Sequence, residues 1–310
     1  MESYTSGGMQ TLVRRSKEYG KILNDALRIA TASFRVSPMS SNAASPEHLT
    51  LPDGTRIAYR HVAAHSGGER PGIVFLSGFA SDMTGTKGTA LASRALERGQ
   101  AFLRFDYSGH GQSSGAFRDG TIGRWTADAL AAIDRLTDGP QILIGSSMGG
   151  WIMLLVALAR PERIAGLVGI AAAPDFTEDL MWAAMPPEMR SRLLADGLVH
   201  EPSQYQDAPL EITRTLIEDG RRHLLLRGDI AIRCPVCLLH GMADPDVPWE
   251  TALRLSERLA SADVTVTLIK DGDHRLSRGE DLQRVFAAVD ELSPLRRIAP
   301  QDRPQTVPEA

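Results

Sequence analysis

Between Asp138 and Arg160 the chain runs for 21 residues without a formal charge, close to the length needed to cross a bilayer. Its middle is Gly145-Ser146-Ser147-Met148-Gly149-Gly150, which leaves apolar halves of about 6 and 10 residues, each too short to span. A buried strand, a tight turn and a buried helix account for the whole stretch, and no stable membrane span is expected.

The same alternation recurs along the chain. Residues 47–51 and 55–63 read as a hairpin about Pro52-Asp53-Gly54. Apolar runs follow at Ile73–Leu76, Ala101–Phe105, Ile142–Ile144, Ile164–Ala172, Val236–Leu239 and Val264–Ile269, with helical segments at 85–98, 121–137, 148–159, 249–260 and 279–292. Strands alternating with helices predict an α/β fold, with a mostly parallel central sheet and helices on both faces.

Strand starts near 73, 101, 142, 164, 236 and 264 are separated by 28, 41, 22, 72 and 28 residues, whereas one strand-helix-strand repeat takes roughly 30. The long interval therefore holds an insertion. Its Met181, Trp182, Met185, Met189, Leu193, Leu194, Leu210, Ile212, Leu216 and Ile217 predict a helical cap over residues 174–233, above the carboxyl ends of the sheet where such folds bind ligands. The expected division is an N-terminal segment 1–45, a core of 46–173 and 234–296, the cap, and a tail 297–310.

Residues 1–38 carry a net charge of +3 in a chain of −4. They lack the apolar region of a secretory signal and read either as a mitochondrial presequence or as an over-extended start ahead of Met39. Arg outnumbers Lys 30 to 4, which favours GC-rich coding, a bacterial source and the cytoplasm; a presequence would place the protein in the mitochondrial matrix. With 38 acidic against 34 basic residues, no nucleic-acid partner is expected. Cys234 and Cys237 sit three apart in a strand, facing opposite sides at roughly 10 Å, and read as reduced thiols.

Gly145-Ser146-Ser147-Met148-Gly149 is a G-x-S-x-G that directly follows a strand and opens a helix. A nucleophilic hydroxyl is exposed on a turn too sharp for flanking side chains, and the helix N-terminus favours developing negative charge. Gly111-Gln112-Ser113-Ser114-Gly115 matches the pattern without that context, so Ser147 is the candidate nucleophile and Ser113 a decoy.

A serine hydroxyl needs a base, normally a histidine oriented by a carboxylate, and in this context the chain order is Ser, acid, His. Of the eight histidines, only His274 lies beyond the last strand; His240 merely ends one. The loop after the 236–239 strand offers Asp244 and Asp246 as the acid, with Asp175 more remote and Asp273 facing away. The Met148 and Phe79 amides are the candidate oxyanion donors, the latter on the glycine-containing loop after the 73–76 strand; Phe79 could alternatively plug the core. The glycines of 106–113 lack dinucleotide-binding spacing and read as a tight structural loop.

With these residues placed, the chain resembles the α/β-hydrolase superfamily from about residue 47 to about 293. More narrowly it resembles the mitochondrial palmitoyl-protein thioesterase and mycophenolic acid acyl-glucuronide esterase group with its bacterial relatives. The narrower likeness is carried by Ser81-Asp82-Met83, Asp106-Tyr107-Ser108-Gly109-His110-Gly111, Ile217-Glu218-Asp219-Gly220-Arg221 and His240-Gly241-Met242-Ala243-Asp244. The resemblance implies an α/β-hydrolase fold, Asp244 as the acid over Asp246, and acyl transfer through Ser147, Asp244 and His274 with no metal and no organic cofactor. It implies small-molecule or protein-linked acyl esters and thioesters as substrates. Other readings of the scaffold are a serine peptidase, a cofactor-free haloperoxidase or a non-hydrolytic ligand receptor.

Overall fold

A computed structural model describes residues 45–64, 70–202 and 209–293; the expectations for residues 1–38 and for the tail 297–310 lie outside them. An eight-stranded sheet forms the centre, in the order β1 (Glu47–Thr50), β2 (Arg56–Val62), β4 (Phe102–Phe105), β3 (Gly72–Leu76), β5 (Gln141–Ser146), β6 (Ile164–Ile170), β9 (Val236–Gly241), β10 (Val264–Ile269). The β1–β2 and β2–β4 pairs are antiparallel and all later pairs are parallel. The predicted strands and the hairpin, whose turn places Gly54 at φ 86°, are all present.

Period-two alternation gives the sheet two buried faces. On β3, Val74 and Leu76 pack with Trp125 and Ile133 of α2 (Ile122–Leu136), Trp151 and Leu154 of α3 (Met148–Ala159) and Leu255 of α6 (Glu250–Arg258). Ile73 and Phe75, the intervening residues, pack on the other face with Leu91 and Ala95 of α1 (Thr86–Glu97) and Val285 and Val289 of α7 (Gly279–Leu292). These five helices match the five predicted segments. Thr121 caps α2 by accepting the Arg124 amide proton at 3.1 Å. No helix among the described residues is long and apolar enough to cross a membrane.

The chain moves outward from β3 to β4, then returns past β3 to β5. The crevice at the carboxyl ends of β3 and β5 is thus the switch point where sheets of this type hold ligands.

The segment between β6 and β9 departs from the expectation of helices alone. A π-helical turn at Thr177–Trp182, α4 (Pro187–Asp196) and α5 (Arg214–Gly220) are accompanied by an antiparallel hairpin, β7 (Leu198–Glu201) with β8 (Leu210–Thr213). Gly197, at φ 80°, ends α4 in the left-handed conformation and turns the chain into β7. Leu193, Val199, Ile212, Ile217 and Met185 then form a small core of their own. Part of the segment's apolar content is therefore packed against itself, while Leu216 and Leu226 join the main core.

Candidate active site

Ser147 joins β5 to α3 at φ 55° and ψ −121°, a conformation rare for a residue with a side chain. Its backbone is held on both sides: the amide donates to the Ile170 carbonyl at 2.9 Å, and the carbonyl accepts from Gly150 at 2.9 Å and Ala173 at 3.1 Å. Such strain costs about 1–3 kcal/mol and persists where surrounding contacts impose it. The glycines are required by close approach. A Cβ on Gly145 would lie 2.6 Å from the Gly150 Cα, and one on Gly149 would lie 2.6 Å from the Ser77 carbonyl.

His274 arrives on the loop after β10 and Asp244 on the loop after β9. Nε2 of His274 lies 3.1 Å from Ser147 Oγ, and its Nδ1 lies 2.8 Å from Asp244 Oδ2. The Asp244 side chain is 1% exposed. Its other oxygen accepts the amide protons of Asp246 at 2.8 Å and Val247 at 2.9 Å. Burial pushes the carboxyl pKa upward, but the hydrogen bonds from His240, His274 and Val247 outweigh it and hold the group well below the usual carboxylate range. Asp244 is accordingly ionised.

Of the other candidate carboxylates, Asp273 and Asp175 are engaged elsewhere, whereas a carboxylate oxygen of Asp246 lies within 4.8 Å of the Asp244 and His274 ligand atoms. Asp246 meets Asp244 through its backbone amide. Asp273 accepts the Leu276 amide proton at 2.8 Å within its own loop. Asp175, buried and at φ 63°, accepts from the Leu225 and Leu226 amides at 2.7 and 2.9 Å and so ties the two ends of the β6–β9 insertion together. Ser113 donates to the Asp106 carbonyl at 2.6 Å and accepts the Ala58 amide proton at 2.8 Å, which locks it into the 106–113 loop.

The loop after β3 lies against the elbow: a Cβ on Gly78 would sit 3.4 Å from that of Ser147. The Phe79 ring packs edge-on against Phe117, Trp125 and Phe176, with centroids 4.9–5.9 Å away. Phe79 thus fills an aromatic cluster while its backbone follows the glycine nearest the serine. Met148 opens α3, and the amides of a first helical turn have no acceptor within the helix. Ala80 and Ser81, next along the β3 loop, line a cavity of about 490 Å³ with His110, Phe117 and Leu210.

Ligand atoms of Asp244, Asp246 and His274 lie within 4.8 Å of one another, the single such group among the described residues. Asp244 and His274 already use theirs on each other and on the serine. Cys234 and Cys237 are free thiols, and burial pushes the Cys237 pKa up to about 11.

One histidine that in sequence merely ends a strand also reaches the acid. His240, at the end of β9 and 1% exposed, brings Nε2 to 3.0 Å from the Val247 carbonyl and 3.3 Å from Asp244 Oδ2. Its four-residue spacing from Asp244 was visible, but only the fold of the intervening loop makes the contact.

Comparison with known proteins places this geometry in context. The family model described as "Serine aminopeptidase, S33" matches residues 68–281. The mitochondrial palmitoyl-protein thioesterase ABHD10 of Homo sapiens is 39% identical over 266 residues, covering 86% of this chain and 85% of that protein. Among solved structures, a protein of Agrobacterium vitis S4 named as a hydrolase is 44% identical, with a TM-score of 0.76 over 80% of this chain and 98% of that one. Alpha/beta hydrolase domain-containing protein 10 from mouse is 39% identical, with a TM-score of 0.73 over the same shares.

Proposed function

The chain belongs to the α/β-hydrolase family and is a hydrolase, and on that premise we propose that it cleaves acyl esters and thioesters through a Ser147-His274-Asp244 acyl-enzyme mechanism. The observation that carries this reading is the continuous line of hydrogen bonds from Ser147 Oγ through His274 to Asp244. Ser147 attacks the substrate carbonyl while His274 Nε2 takes its proton. The oxyanion forms against the Met148 and Phe79 amides, and the imidazolium, stabilised by Asp244, returns the proton to the departing alcohol or thiol. Water then attacks the acyl-serine with His274 again as base, releasing the acid and regenerating the hydroxyl.

The thioesterase name of the human relative supports S-acylated protein cysteines as the substrate class. Acyl-glucuronides follow from the family resemblance as a second class. A peptidase reading draws on the description of the matching family model, and a receptor reading on the scaffold alone. A side-by-side assay of a long-chain acyl thioester, an acyl-glucuronide, a short aryl ester and a peptide amide, with Ser147→Ala as control, tests the proposal. Turnover of thioester and ester but not amide is expected. Preference for the amide would favour a peptidase, and no turnover of any a receptor.

The 44% identity to the Agrobacterium protein, together with the excess of Arg over Lys, supports a bacterial source, with the cytoplasm as the proposed compartment. The mitochondrial name of the human relative supports the matrix instead. N-terminal sequencing of the natural protein separates a start at Met39 from a processed presequence.

A further inference from the structure

We propose that His240 is a positioning residue for the acid: a neutral imidazole, protonated on Nε2, that aims Asp244 at His274. The inference rests on the triad reading above but concerns a residue outside it.

The tautomer follows from the partners. Nε2 of His240 faces the Val247 carbonyl at 3.0 Å and Asp244 Oδ2 at 3.3 Å. A carbonyl and an ionised carboxylate only accept, so Nε2 carries the proton and shares it between them. Nδ1 is buried and has no hydrogen-bond partner. A proton there would be a buried donor with nothing to receive it, which is costly. The ring is therefore neutral, and its single proton is directed at the acid and its loop.

Two consequences follow for Asp244. The loop after β9 is closed by three bonds that cross it: the Asp246 and Val247 amides donate to Asp244 Oδ1, and His240 donates back to the Val247 carbonyl. The carboxylate plane is thus set from both sides before His274 meets Oδ2. In addition, Oδ2 receives two donors, His274 Nδ1 at 2.8 Å and His240 Nε2 at 3.3 Å. The two donors converge on one oxygen, so Oδ2 is held at the junction of the two rings. Asp246 brings a carboxylate oxygen within 4.8 Å of Asp244 and His274, and the His274 loop also carries Asp273 and Arg275, whose carbonyl accepts from Lys87 Nζ at 2.5 Å.

The test compares His240→Leu, which removes the donor, with His240→Gln, which offers an amide donor near the Nε2 position. Turnover of a short aryl ester is followed at neutral pH, with Ser147→Ala as control. For the Leu variant, a drop in kcat of about tenfold is expected, with KM within about twofold. The Gln variant should recover most of the lost kcat. Equal loss of kcat in the two variants would overturn the proposal in favour of plain packing. Retained turnover in Ser147→Ala would instead reject the triad reading beneath it. Should the Leu variant not fold, nitrogen-detected NMR of the histidine rings in the wild-type protein decides: His240 protonated on Nε2 alone at neutral pH is expected, and protonation on Nδ1 contradicts the assignment.

Discussion

The carboxylate of Asp106 accepts the amide proton of Met83 at 2.7 Å, although 22 residues separate them in the chain. Arg104 donates to the Met83 carbonyl at 2.9 Å, so both polar groups of the residue that ends the β3 loop are held by buried side chains of and just after β4. Asp106 also accepts the Gln112 amide proton at 2.9 Å. This one carboxylate thereby joins the loop that carries Phe79 to the glycine-rich loop beside it. Asp106→Ala leaves two amides without their acceptor, and a loss of about 2–4 kcal/mol in unfolding free energy is expected. Urea denaturation checks this; a loss below about 0.5 kcal/mol would show that the tie is dispensable.

Acid sensitivity should arise in part from His110. Burial pulls its pKa down to about 4, against the opposing effects of its contact with the Ser108 carbonyl and of Asp82. The unfolded chain, with a histidine near 6.5, binds the proton first. Stability contributed by the neutral ring is therefore complete above about pH 6.5 and is lost as pH falls toward 4, by up to roughly 3 kcal/mol. His110→Phe keeps a ring among Tyr107, Phe117 and Trp125 and should flatten the stability curve across that window. Denaturation midpoints at pH 4.5 and 7.5 for both proteins provide the comparison; parallel curves would remove His110 as the cause.

Asp244→Asn and Asp246→Asn should separate sharply. The first replaces the oxygen that faces His274 Nδ1 at 2.8 Å and should lower kcat about a thousandfold or more, because the imidazole loses its orienting acceptor and the stabilisation of its charged form. The second leaves in place the Asp246 backbone amide that donates to Asp244, and a change within about threefold is expected. Steady-state rates on an aryl ester decide between them, and equal losses would reject Asp244 as the acid.

Gly149→Ala tests the close approach at the elbow. The added methyl would collide with the Leu76 and Ser77 carbonyls at the end of β3. Relief requires the β3 loop to move away from Ser147, so stability should fall by about 1–3 kcal/mol and turnover should fall with it. A fully active, equally stable variant would mean that the elbow has slack.

Much of this arrangement is legible in the sequence because it depends on local patterns. The uncharged stretch from Gly139 to Ala159 is broken where only a strand-turn-helix fits, and β5, Ser147 and α3 follow from it directly. Chain order singles out His274 because no other histidine lies beyond β10. Choosing between Asp244 and Asp246 is not local: both lie in one loop, and which carboxylate meets His274 depends on how the Asp246 and Val247 amides turn toward Asp244. His240 is hidden for the same reason. The β7–β8 hairpin is obscured because its strands are four residues each, too short for alternation to be told from an amphipathic helical turn.

The most direct test of the central claim is labelling by a fluorophosphonate, which reacts with an activated serine and not with a hydroxyl already engaged in a structural turn. Wild-type protein and Ser113→Ala should both be labelled, with the adduct on the peptide containing Ser147, and Ser147→Ala should be silent. Labelling that persists in Ser147→Ala, or that is lost in Ser113→Ala while the protein remains folded, would contradict the assignment of Ser147 as the nucleophile.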